Sequence, residues 1–115
     1  MTPTKELIDK VPPQNVEAEI AVLGSMLLDK EAIAKAIELL DGKFFYKDAH
    51  RKIYSVIVNL YDKNKAIDMV TLVEELRHMD SLEEIGGPSY IASITSSVPT
   101  AANIDHYAKI VREKA

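Results

Sequence analysis

Pro12-Pro13-Gln14-Asn15-Val16-Glu17-Ala18-Glu19-Ile20-Ala21-Val22-Leu23-Gly24-Ser25-Met26-Leu27-Leu28-Asp29 is the stretch from which the fold is read. The paired prolines withhold backbone donors and disfavour helix before Pro13. Asn15 can accept from the free amides of a first turn, and Glu17 and Glu19 complement the dipole there. A helix therefore begins near Asn15. Val16, Ile20, Leu23 and Leu27 fall on one narrow stripe at helical spacing and predict a core face. Ala18, Ala21, Val22 and Ser25 leave the reverse face small and weakly apolar, open to another contact. Gly24-Ser25 in mid-helix costs about 1 kcal/mol against alanine, which suits a place where another backbone passes close by.

Working outward, Asp29 closes this helix and caps a second, in which Ile33, Ala36, Ile37 and Leu40 form the buried stripe and Gly42 supplies a left-handed stop. Phe44-Phe45-Tyr46 is an aromatic cluster expected to plug the bottom of the core. Asp48 then caps a third helix with Ile53, Val56, Ile57 and Leu60 on one face. Asp62-Lys63-Asn64-Lys65 reads as a turn, and Asp68 caps a fourth helix bearing Met69, Leu72, Val73 and Leu76. Ser81-Leu82-Glu83-Glu84 has capping-box spacing, but Gly86-Gly87 stops it after about one turn and leaves a short connector.

Pro88 takes the first position of a fifth helix, which uses Tyr90, Ile91 and Ile94 as contacts and ends at Pro99. A last helix begins near Thr100 or Asn103 and carries Ile104, Tyr107, Ala108 and Val111 on one face; the chain stops at Arg112-Glu113-Lys114-Ala115 in mid-pattern, as though inside a longer helix. Met1 to Val11 is polar apart from Leu7 and Ile8 and is expected to be a mostly mobile tail. Nothing alternates with period two over the length of a strand. The expected fold is all-α, a compact orthogonal bundle of about six helices, with a tail at 1–11, a helical head at 12–99 and the start of a further helical arm at 100–115.

Composition narrows the function. The chain has 115 residues, is 47% hydrophobic and contains no cysteine, so it fits one domain without a disulfide framework or thiolate metal site. No apolar run approaches the roughly 20 residues needed to span a bilayer, and no signal-peptide order opens the chain; cytoplasm is the default expectation. A formal net charge of -4 repels phosphate backbones and lowers the expectation of direct DNA binding. The four glycines, at 24, 42, 86 and 87, cannot form a phosphate-binding loop or a dinucleotide fingerprint. His50, His78 and His106 lie in separate helices without metal-ligand spacing and read as surface or boundary residues, and Glu74-Glu75 and Glu83-Glu84 read as solvated faces without a nucleophile beside them. Charge is uneven, with Lys43, Lys47, Arg51 and Lys52 close together and acids gathered from Asp68 to Glu84, a split suited to steering protein partners or to two solvated faces. Tyr90, after Gly86-Gly87-Pro88, reads equally as core or as an exposed aromatic anchor.

Pro-Pro-Gln-Asn-Val-Glu-Ala-Glu at 12–19 and Val-Leu-Gly-Ser-Met-Leu-Leu-Asp at 22–29 resemble the N-terminal domain of DnaB-type bacterial replicative DNA helicases. Further agreement comes from Phe45-Tyr46 with His50, Ile67-Asp68, Gly86-Gly87 with Tyr90-Ile91, and Pro99-Thr-Ala-Ala-Asn-Ile104 running into Tyr107 to Ala115. The resemblance implies a helical head followed by a hairpin whose truncated first arm starts near Asn103. It also implies a non-catalytic collar for a hexameric ring, a trimer of dimers in which the domain associates with itself and binds primase. ATP and magnesium would belong to a separate motor domain, with no cofactor or metal in this segment and DNA met only through the assembled ring. By position, Glu17 and Tyr90 match places the family uses in communication with primase, and Ile104, Tyr107 and Val111 would serve self-association. The alternatives are a small helical nucleic-acid-binding protein and the helicase-binding domain of a primase.

Overall fold

Asn15 opens the first helix as its side chain requires. Its backbone is extended and Oδ1 accepts the amide of Ala18 at 2.9 Å. The computed structural model describes residues 15–97 and 104–114. Within them lie α1 (Val16–Leu28), α2 (Lys30–Leu39), a 3-10 turn (Gly42–Phe44), α3 (Asp48–Asp62), α4 (Met69–His78), α5 (Gly87–Ser96) and α6 (Ile104–Lys114). Every regular element among the described residues is helical, which is the expected all-α class. The tail at 1–11, the proline start at 12–13, the Pro99 stop and the choice between Thr100 and Asn103 lie outside the described residues.

The organisation is concentric about α1. Helices α2, α3, α5 and α6 all pack on it, and α4 closes the far side against α3 and α5. The reverse face left open in the sequence is therefore in contact as well, with Ala18, Val22 and Ser25 buried. Val22, Leu23, Gly24, Ser25, Met26 and Leu27 are all buried, because neighbours cover the helix on several sides. A helix apolar or small around most of its circumference is what a central position requires. The expected stripes of α2 and α3 are present: Ile33, Ala36 and Leu40 are buried, as are Ile53, Val56, Ile57 and Leu60. In α4, Leu72 and Leu76 reach the core while Met69, in the first turn, stays exposed.

Caps drawn from neighbouring residues are formed as expected at two further helices. Asp29 accepts from Glu31 and Asp68 from Thr71. Four local expectations fail, each for a stated reason. Gly42 does not stop α2 in a left-handed conformation; Leu40 ends it with extended backbone, and Gly42 opens the 3-10 turn that Asp41 caps at Lys43. Asp48 is the first helical residue of α3, preceded by Lys47, whose side chain makes no capping bond. The Ser81 hydroxyl turns back to donate to the Met79 carbonyl and forms no capping box. Pro88 is second in α5, since Gly86 at φ 112° and Gly87 at φ 76° make the left-handed entry that places Gly87 first.

Of the aromatic cluster only Phe45 enters the core, its ring centroid 5.0 Å from that of Tyr54, while Tyr46 is exposed. Tyr54 donates to the Leu40 carbonyl at 3.0 Å and lies 3.3 Å from that of Ala36, satisfying the end of α2. Helix α6 lies along α1 and α2, with Ile104 and Val111 buried inside this one chain and Lys35 on α2 paired with Asp105 at 3.3 Å. Of Ile104, Tyr107 and Val111, expected to serve self-association, the two aliphatic members are thus buried within the chain and Tyr107 is half-buried. The two charged stretches also meet: Lys52 on α3 lies 3.6 Å from Glu84. Part of the charge split is neutralised within the molecule.

Candidate functional site

Glu19 is an acid in the middle of a buried surface. It lies about 60° round α1 from Val16, within the apolar arc of Leu23 and Met26, and is 1% exposed. An isolated carboxylate there would be prohibitively costly, so its oxygens must be filled. Oε2 accepts the amide of Tyr46 at 2.7 Å; Oε1 accepts Nδ1–H of His50 at 2.7 Å and the amide of Lys47 at 3.4 Å. A residue of α1 thus ties down the backbone of Tyr46 and Lys47, the two residues that lead into α3. Burial pushes the Glu19 pKa up, but the His50 hydrogen bond and the amides of Tyr46 and Lys47 outweigh it and hold the carboxyl below its ordinary value.

His50, in the first turn of α3, is fully buried, which corrects its reading as a surface or boundary residue. Its Nε2 meets the hydroxyl of Tyr90 on α5 at 2.6 Å, and the two rings are nearly parallel, 11° between planes. Because the ionised Glu19 can only accept, Nδ1 carries a proton; in the neutral ring Nε2 then accepts the phenolic O–H. The Tyr90 oxygen in turn accepts from Lys47 Nζ at 3.2 Å, with that ammonium 4.7 Å from the ring centroid. One ordered chain of donors therefore runs from the exposed Lys47 through half-buried Tyr90 and buried His50 to Glu19, joining α5, α3 and α1.

Tyr90 is neither purely core nor a free anchor. Its ring is half-buried beside Gly86, where a Cβ would stand only 2.8 Å from the Tyr90 Cβ. Glu17 is exposed and takes no part in this chain, projecting about 200° round α1 from Glu19. It lines a separate groove of about 380 Å³ with Ile20, Ala21, Tyr107 and Ile110. The structure therefore joins Tyr90 to Glu19 and His50, and Glu17 to Tyr107. The signal for Glu19 in the sequence was an acid inside an apolar arc, and the signal for His50 was its fixed distance from Phe45-Tyr46. Neither pattern names a partner 27 to 40 positions away. Among the described residues no helix is long and apolar enough to cross a membrane.

Comparison with known proteins agrees in one direction. Residues 11–113 match the model of the DnaB-like helicase N terminal domain. The chain is 50% identical over 112 residues to the replicative DNA helicase DnaC of Bacillus subtilis (strain 168), covering 97% of this chain and 25% of that protein. It is 45% identical over 113 residues to the replicative DNA helicase DnaB of Treponema pallidum (strain Nichols), covering 98% and 26%. The crystal structure of the N-terminal domain of DnaB helicase from Mycobacterium tuberculosis superposes with a TM-score of 0.88 at 46% identity, covering 90% of this chain and 75% of that one. The chain spans about a quarter of the length of the curated relatives it matches.

Proposed function

The chain belongs to the family of DnaB-like helicase N-terminal domains, and from that premise we propose that it is the non-catalytic collar module of a replicative DNA helicase, associating with itself in the ring and docking primase. ATP hydrolysis and magnesium belong, on this reading, to a separate motor domain, and DNA is met through the assembled ring. What carries the docking half of the proposal is Tyr90. An aromatic ring is kept at the surface in one pose by a buried carboxylate and imidazole, an arrangement suited to an anchor for a partner. The self-association half is supported by the groove between α1 and α6, where half-buried Ile20, Tyr107 and Ile110 offer apolar area that no other described residue fills.

Titration with the helicase-binding domain of primase tests the docking half. Tyr90→Ala is expected to weaken binding about thirtyfold, the loss of roughly 2 kcal/mol typical of a truncated aromatic anchor. Glu17→Ala, on an exposed position, is expected to leave the melting temperature unchanged and to alter primase affinity. Circular dichroism beside the titrations separates loss of contact from loss of fold. Unchanged affinity in both folded variants sinks the docking assignment.

A further inference from the structure

Glu19 and His50 are too deeply buried to touch any partner, at 1% and 0% exposure. Whatever they contribute to recognition passes through the groups they hold. In the neutral ring the acceptor-only carboxylate keeps the proton on His50 Nδ1, Nε2 is left to accept the Tyr90 hydroxyl, and the Tyr90 oxygen is left to receive Lys47. The phenolic proton is thereby committed inward, so the surface presents a half-buried ring and an exposed ammonium that, among the described residues, has N–H donors still unspent. We infer that Glu19 and His50 are positioning residues for the Tyr90–Lys47 pair, and that the pair is shaped for a carboxylate of the partner flanked by an apolar side chain. The ammonium supplies the charge-assisted donor and the ring supplies the apolar wall.

The inference rests on the reading of Tyr90 as the docking residue, and the experiment separates the two. A double-mutant cycle joins His50→Gln and Tyr90→Phe, with affinity for the helicase-binding domain of primase as the readout and Tyr90→Ala as the reference. Each single variant is expected to weaken binding about tenfold, and the double variant no further, because His50 acts only through the hydroxyl that Tyr90→Phe has removed. A merely structural His50 would cost as much in the Tyr90→Phe background as in the natural chain, and that additivity overturns the inference. Should His50→Gln fail to fold, Glu19→Gln replaces it in the cycle.

A loss of binding in Tyr90→Ala with none in His50→Gln or Tyr90→Phe also overturns the positioning and spares the docking reading. Unchanged binding in Tyr90→Ala overturns the docking reading itself. The positioning is then judged without any partner by nuclear magnetic resonance. A slowly exchanging Tyr90 hydroxyl proton, correlated with His50 Nε2 and lost in Glu19→Gln, supports it, and absence of that signal from the natural chain overturns it.

Discussion

At the scale of one residue, Glu19 turns a structural bond into a pH dependence. Desolvation raises its pKa, and the His50 hydrogen bond and the two backbone amides outweigh it and hold it below the ordinary 4.5. A carboxyl whose folded value is depressed adds stability above its unfolded pKa, and that stability is lost as pH falls through the folded value. The natural chain is therefore expected to lose stability steeply below pH 4.5. Glu19→Gln cannot accept from both amides and His50 at once; it should cost about 1–3 kcal/mol at neutral pH and show a shallower acid decline. Urea unfolding at intervals between neutral and acid pH checks both parts. Parallel acid limbs for the two proteins would show that Glu19 is not the titrating group.

At the scale of the element, the entry to α5 separates strain from crowding. Gly86 and Gly87 both have positive φ, but a Cβ on Gly87 meets nothing within 4 Å, whereas one on Gly86 stands 2.8 Å from the Tyr90 Cβ. Gly87→Ala is expected to cost about 1 kcal/mol from backbone strain alone, and Gly86→Ala more, because α5 must also shift Tyr90. Thermal melts rank the two, and equal costs would mean that α5 absorbs the added methyl without moving. Elements of this kind show what was legible in the sequence. Asp29 and Asp68 were readable as caps because a cap and its amides lie within three positions. The backbone leading into α3 was not readable in this way, because the amide of Tyr46 is met by Glu19, and a local pattern carries no information about an acceptor 27 residues upstream. His50 was misassigned for the same reason, since only the folded chain places it between Glu19 and Tyr90.

At the scale of the whole molecule, six helices were legible from apolar spacing, while the central place of α1 was not, because periodicity reports which side of a helix is apolar and not how many neighbours share it. The same limit hid the fate of α6. Its stripe reads in the sequence as one for self-association, yet Ile104 and Val111 are buried within the chain, and Tyr107 and Ile110 remain at the groove beside Ile20. This division predicts opposite behaviour for adjacent residues. Val111→Ala opens a cavity in a core position and is expected to cost about 1–3 kcal/mol of stability with no direct effect on association. Ile110→Asp changes a half-buried rim position and should leave the melting temperature within a few degrees while shifting a monomer–dimer equilibrium toward monomer, because a charge in an apolar contact is desolvated without a partner. Sedimentation across a concentration series, run beside thermal melts, reads both quantities. Dimerisation unaffected by Ile110→Asp would move the self-association surface away from the α1–α6 groove, and a stable hexamer from these 115 residues would mean that ring closure needs no contact beyond the head.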